Sequence, residues 1–161
     1  MAAARPLIAI TNTSVLLNFL RIDRTALLGA VAASVVLTEH VEAEVTEHYP
    51  EQVARLRAGL AKGHFRSITL TGEPELAIFG RLMGLGRLGS GECAAIAGAI
   101  CGGHALAIDD RKASREALRI KADLAIVGTA DLVAMMIREG SLSVDEADAM
   151  KTEWERAHRS G

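Results

Sequence analysis

The chain has 161 residues, 50% of them hydrophobic, and a formal net charge of −2, enough for the core of one domain. The near-neutral balance excludes a generally basic protein that coats nucleic acid, so any RNA or DNA contact has to come from a local patch. No apolar stretch reaches membrane-spanning length, LLGAVAASVVL being too short, and MAAARPLIAI holds one Arg, an early Pro and then a strand rather than a leader; a cytoplasmic location with no membrane contact is expected.

Residues 7–10, LIAI, leave no room for a helical period and read as a buried strand. Thr11, Asn12, Thr13 and Ser14 follow, and Val15, Leu16, Leu17 and Leu20 then open an amphipathic helix. On the plainest reading Thr13 or Ser14 caps that helix and Asn12 only turns the chain. DRTALLGAVA continues helical, and SVVLTEH is a second strand ending at Glu39 and His40. VEAEVTEHYPEQVARLRAGLAKG is helical on both sides of Pro50, and FRSITL alternates as a third strand, at an edge. GEPELAIFGRLMGLG is a helix running into a glycine-rich joint. SGECAAIAGAICGG predicts a helix capped by Ser90 that turns Ala94, Ile96, Ala97 and Ile100 inward and stops at Gly102 and Gly103. HALAIDD is a fourth strand, RKASREALRIK a helix, DLAIVGT a fifth strand and ADLVAMMIREG a helix. SVDEADAMKTEWERAHR closes the chain as a polar helix capped by Ser143.

This alternation predicts an α/β fold with a mostly parallel sheet and helices on both faces. No repeat, low-complexity tract or long linker divides residues 1–161, so a single domain is expected. Cys93 and Cys101 share one helix, too far apart to bridge, and read as small core residues. The five histidines form no HExxH and no Cys/His ligand pair, which argues against zinc.

Polar residues collect at three strand ends: Asn12, then Asp109 and Asp110, then Thr129 and Asp131. Glu92 lies in the first turn of a helix after the glycine-rich joint, and Glu44 in the helix after the second strand. Carboxylates gathered from separate elements repel one another, so a fold that assembles them normally does so around a cation. Oxygen ligands without Cys or His suit Mg²⁺ or Mn²⁺, and such an ion is the equipment for cutting a phosphodiester. Each member also has a structural reading. Glu92 can favour a helix dipole, Glu44 can belong to a solvated run with Glu39, Glu42 and Glu47, and Asp110 can cap RKASREALRI.

Five segments in order, ITNTSVLLNFLRI, VVLTEHVEAEV, LGSGECAAIAGAI, ALAIDDRKASREAL and IVGTADLVAMMIREG, make the chain resemble the PIN-domain family over nearly its whole length. Within it the likeness is to predicted nucleic-acid-binding proteins related to the VapC-like toxin ribonucleases of toxin–antitoxin pairs. The resemblance implies a three-layer α/β/α sandwich and a Mg²⁺- or Mn²⁺-dependent endoribonuclease with an RNA substrate, a cognate antitoxin protein and a homodimeric state. The apolar LAIFGRLMGLG would suit that dimer. The family's acids fall here on Asn12, Glu44, Glu92 and the pair Asp109 and Asp110, which leaves open which of the two aspartates faces a metal. Asn12, Glu92, Asp109 and Asp110 are thereby the expected metal ligands, with Glu44 completing the catalytic set and Thr13, Ser14, Thr129 and Asp131 as auxiliary residues.

The resemblance calls for TDTS where this chain reads TNTS. An amide keeps one ligand oxygen and loses the charge that pins a hard cation. Either the chain is a natural member with weakened or absent catalysis, or it is a form deliberately disarmed because the active enzyme poisons its host; the intact surroundings of Asn12 favour the second. RNA contacts are expected from Arg111, Lys112 and Arg115, with Arg119, Arg81 and Arg87 nearby. With 3% aromatic residues there is little material for base stacking. Two other classes compete: a catalytically inactive PIN scaffold that binds RNA or a protein partner, which Asn12 favours, and a phospho-receiver domain, which the order of the acids disfavours because the pair follows the fourth strand rather than the first.

Overall fold

The structure, a computed structural model, describes residues 7–31 and 33–160, without the side chains of 158–160. The N-terminal MAAARP and the His158 side chain lie outside the described residues.

Strand β1 (Leu7–Thr11) lies at the centre of a five-stranded sheet, between β2 (Ala33–Thr38) and β4 (Ala105–Ala107), with β3 (Arg66–Ile68) and β5 (Ile126–Val127) at the edges. All pairings are parallel, with Ala9 opposite Val35 and Ala105, and Ile10 opposite Val36 and Leu106. A central parallel strand is covered on both faces, which is why LIAI is apolar without alternating. Successive side chains point to opposite faces, and the sheet accordingly divides two cores. Ala9, Val35, Leu37, Ala105 and Ala107 pack with Leu16 and Phe19 of α1 (Thr13–Arg21), Leu28 of α2 (Ala26–Ala30), Val41 and Val45 of α3 (Glu39–His48), Leu56 of α4 (Val53–Ala61), Leu132 of α8 (Thr129–Arg138) and Met150 of α9 (Val144–Ser160). Ile10, Val36, Leu106 and Ile108 pack on the other face with Leu82 of α5 (Glu73–Gly84), Cys93, Ile96 and Ala99 of α6 (Ser90–Gly102) and Ala113 and Ala117 of α7 (Arg111–Ile120). The result is the expected three-layer α/β/α sandwich. Helix α6 is buried at Gly91 and throughout Cys93–Ala99; its small side chains let it sit close on the sheet. No helix among the described residues is long and apolar enough to cross a membrane.

Several local expectations shift. Asn12, not Thr13 or Ser14, caps α1: its Oδ1 accepts from Val15 N at 3.0 Å. The second strand stops at Thr38, whose hydroxyl caps α3 by accepting from Val41 N at 3.3 Å, so Glu39 and His40 are helical. Gly89 caps α6 in place of Ser90, because the Glu92 carboxylate reaches back to Gly89 N–H (3.2 Å) while the Ser90 hydroxyl donates to Glu44 (3.2 Å). Ile100 is only partly buried, and Cys101 is exposed whereas Cys93 is buried. Ser143 does cap α9, exchanging hydrogen bonds of 3.1 Å with Glu146. Gly103 ends α6 at φ 66°, the left-handed conformation that glycine adopts without a Cβ penalty.

The strand order β3-β2-β1-β4-β5 means that the chain builds outward from β1 in one direction and then returns to build in the other. The reversal lies between β1 and β4, and the crevice at their carboxyl ends is where open parallel sheets bind ligands.

Candidate active site

Asn12 occupies that crevice. Its backbone N–H donates to Ala107 O at 3.1 Å, extending the β1–β4 ladder by one residue, and the residue is 1% exposed. The side chain thus sits at the switch point while it caps α1.

Thr13, one residue on, leads to Glu44. Its hydroxyl donates to Glu44 Oε2 at 2.6 Å, while Glu44 Oε1 accepts from Gly91 N at 2.8 Å and from the Ser90 hydroxyl. One carboxylate therefore ties the starts of α1 and α6 to α3, and the positive end of the α6 dipole favours it there. Gly91 suits this contact: a Cβ would lie 2.8 Å from Glu44 Oε2 and 2.9 Å from Thr13 Oγ1, so a larger residue would displace one of these side chains.

Glu92, half-buried, follows in the first turn of α6. Desolvation pushes its carboxyl above the ordinary range; the Gly89 N–H opposes this, Asp110 and Glu44 push the same way as burial, and Lys112 opposes. Asp110 caps α7 by accepting from Ala113 N at 3.1 Å. Asp110 is thus the cap of α7, and its charge also reaches the Glu92 carboxylate.

Asp109 is differently engaged. Its Oδ1 accepts from Thr129 N at 2.8 Å and its Oδ2 from the Thr129 hydroxyl at 2.6 Å, which binds β4 to the start of α8. Asn18 Nδ2 donates to Thr129 Oγ1 at 2.9 Å, joining α1 to the same cluster. Gly128 leaves room for it, since a Cβ there would lie 2.7 Å from Asp109 Oδ1. Asp131 turns back to cap its own helix through Gly128 N at 2.7 Å, and Ser14 is exposed. Arg111, Lys112 and Arg115 are exposed on α7.

The fold thus brings Asn12, Glu44, Glu92 and Asp110 to one end of the sheet and turns Asp109 and Asp131 to bracing work. Among the described residues no three carboxylate, imidazole or thiol groups are placed to hold a metal ion. The donors are right in kind for a hard cation, all being carboxylate or amide oxygens. Glu44 and Asp109 each accept protein hydrogen bonds at both oxygens, which leaves Glu92, Asp110 and the Asn12 amide oxygen as the less committed donors. The sequence names Ser90 only as a helix cap, not as a donor to Glu44, and does not single out Gly91, Asn18 or Gly128. The glycines next to the first turns of α6 and α8 were the available signal, and only a partner distant in sequence shows what they accommodate.

The chain of VapBC2 from Rickettsia felis, solved bound to a DNA fragment from its promoter, shares 15% identity, superposes with a TM-score of 0.54 and covers 76% of this chain and 98% of its own. That of VapBC-1 from nontypeable Haemophilus influenzae shares 16% identity with a TM-score of 0.55, covering 77% of this chain and 99% of its own. At such identities these likenesses establish the fold. Among curated proteins, none matches the sequence. A family model described as PIN domain matches residues 8–156, and the chain belongs to the PIN-domain family.

Proposed function

We propose that this PIN domain is built as a Mg²⁺- or Mn²⁺-dependent endoribonuclease, the toxin of a toxin–antitoxin pair, whose catalysis is lowered or abolished in this sequence by Asn12. The observation that carries the reading is the gathering of Glu44, Glu92 and Asp110, close enough that Asp110 and Glu44 raise the proton affinity of Glu92, at the carboxyl end of the sheet where Asn12 also stands. Acids held together against their own repulsion, beside cationic Lys112, suit a site that takes a cation and a phosphate.

Glu92, Asp110 and the residue at position 12 would hold the ion, with Asp109 and Glu44 buttressing them. When bound it would activate water and neutralise charge on a phosphoryl oxygen. The chain's own groups do the positioning. Glu44 holds the N-terminus of α6, and with it Glu92, against Thr13. Asp109 locks β4 to α8 and keeps Asp110, next in sequence, at the head of α7. Arg111 and Lys112, exposed in the first turn of α7, supply cations for the RNA backbone.

The partners belonging to this reading are an RNA substrate, a cognate antitoxin protein and a second copy of the chain; for the last, Leu76, Met83 and Leu85 are exposed on and just after α5. The two similar solved structures are VapBC assemblies, which supports an antitoxin partner.

Asn12→Asp is the test. The charge of one ligand is worth several kcal/mol in a transition state, so RNA cleavage should rise by about 10²–10⁴-fold, with Mg²⁺ or Mn²⁺ and not with EDTA, and expression should arrest growth of the host. A folded, metal-binding Asn12→Asp variant that cleaves nothing across a broad RNA panel would instead establish the second reading: an inactive PIN scaffold that binds RNA or a protein partner, with Asn12 as its native feature.

A further inference from the structure

Beside the acidic crevice lies a cavity of the opposite sign. Lys112, Arg115 and Arg119 on α7 and Arg87 in the joint between α5 and α6 line a pocket of about 200 Å³, together with Glu116. Glu116 is the unusual member, a carboxylate with only 8% of its side chain exposed on a helix whose other charged residues are exposed. Burying an unpaired carboxylate costs several kcal/mol, and this one is paired twice: its Oε1 accepts from Arg87 Nη1 at 3.3 Å and from Arg119 Nη1 at 3.1 Å. The two arginine side chains come from different parts of the chain and remain 54% and 66% exposed. Glu116 thus pins the two arginines while leaving them open to solvent, which lowers the entropy they would lose on meeting an anion. Four cations surround one anion, so the pocket keeps a positive balance. Lys112 connects it to the crevice, standing two residues after Asp110 in the first turn of α7.

We propose that Arg87, Lys112, Arg115 and Arg119, organised on the buried Glu116 carboxylate, form a subsite for a backbone phosphate of single-stranded RNA running into the Glu92–Asp110 crevice. The proposal rests on the ribonuclease reading for its ligand and adds the path that the strand takes. The pocket is smaller than the roughly 300–1,000 Å³ clefts that enclose drug-sized ligands, a size for a phosphate group rather than a whole nucleotide. Its lining carries cations and no aromatic ring, so it positions a strand without reading bases.

The experiment is fluorescence-anisotropy titration of the full chain with a labelled single-stranded RNA 12-mer in EDTA, over a series of salt concentrations. Arg115→Gln with Arg119→Gln removes two cations and leaves the Arg87–Glu116 pair in place; Arg87→Gln is made separately. Arg57→Gln with Lys62→Gln, on and just after α4 at the amino-terminal edge of the sheet, is the control. Each phosphate contact on a single strand contributes about 0.7 to the slope of log K against log salt. With one phosphate held at the subsite, the double variant should therefore flatten the slope by about 0.7 and Arg87→Gln by up to the same amount, equally for RNAs of unrelated sequence, while the control leaves it unchanged. Folded pocket variants with an unaltered slope overturn the subsite, and so does a parent chain that fails to bind RNA. Repeating the pocket substitutions on the Asn12→Asp background separates the two ideas: cleavage with an unaltered salt slope removes the subsite and keeps the ribonuclease, whereas a flattened slope without cleavage keeps the subsite and removes the ribonuclease.

Discussion

Asn12 does one job that aspartate would do equally well, capping α1, and differs from aspartate in carrying no charge. Both residues are good N-caps, so Asn12→Asp should leave α1 intact and change only the charge at the switch point, which makes it a clean probe of the site. Glu92 offers a second probe. Its carboxyl is raised above the ordinary range, first by burial and then by Asp110 and Glu44 against the pull of Gly89 N–H and Lys112. The native state therefore holds a proton at Glu92 over a pH interval in which the unfolded chain has released it. Stability falls as pH rises through that interval, and the penalty is complete above the raised value. Glu92→Gln, whose amide oxygen can still accept from Gly89 N–H, is expected to raise Tm at pH 7 and to lose most of that advantage as pH falls towards about 4, where the carboxyl is largely protonated in the folded and unfolded chain alike. Thermal melts of both proteins across pH 4–8 check this; an advantage that does not shrink in acid would show that the raised affinity comes from something other than charge. At this scale the sequence pointed to Asn12 and Glu92 through their places after a strand and in a first helical turn. It could not show that Glu44 and Asp109 are bound at both oxygens, because their partners Gly91 and Thr129 stand 47 and 20 residues away.

Helix α7 combines a cap, a charge and a row of cations, and substitution can take these apart. Asp110→Ala loses the bond from Ala113 N and should cost about 1 kcal/mol of stability, whereas Asp110→Asn keeps the cap and costs only a few tenths. Both remove the charge that reaches Glu92, so both should weaken Mn²⁺ binding by the Asn12→Asp protein to a similar extent. Denaturant melts and calorimetric titration of the two variants check the pair of outcomes; metal binding that followed stability rather than charge would leave Asp110 as a cap alone. The existence and order of the elements were legible because apolar runs and punctuating glycines are local signals. Their ends were less so. Thr38 rather than His40 ends β2, and Gly89 rather than Ser90 caps α6, since a hydroxyl chooses between backbone and a distant carboxylate, and for Ser90 the distant Glu44 won.

At the scale of the whole molecule, Trp154 links the terminal helix to the residues around Asp109. Trp154 Nε1 donates to Asn18 O at 2.6 Å and its ring meets Phe19 edge-on, with centroids 5.7 Å apart at 84°. Asn18 in turn donates to Thr129, which holds Asp109. Because Trp154 is only partly buried, Trp154→Ala should cost about 2 kcal/mol, below the range for fully buried aromatics. Trp154→Phe keeps an aromatic contact and should cost about 1 kcal/mol for the lost hydrogen bond. Circular-dichroism denaturation measures both, and equal losses would assign the fastening to the hydrogen bond rather than the ring. From the sequence alone followed the α/β alternation, the parallel sheet, and the polar strand ends at Asn12, Asp109–Asp110 and Thr129, because each depends on neighbours within a turn or a strand. Only the tertiary structure decided the order β3-β2-β1-β4-β5, which opens the crevice between β1 and β4. It also decided that the charge of Asp110 acts on Glu92 while Asp109 is bound to Thr129, and that Arg87 joins α7 around Glu116. These depend on how the helices pack across the sheet, and packing sets distances between residues that no local pattern relates.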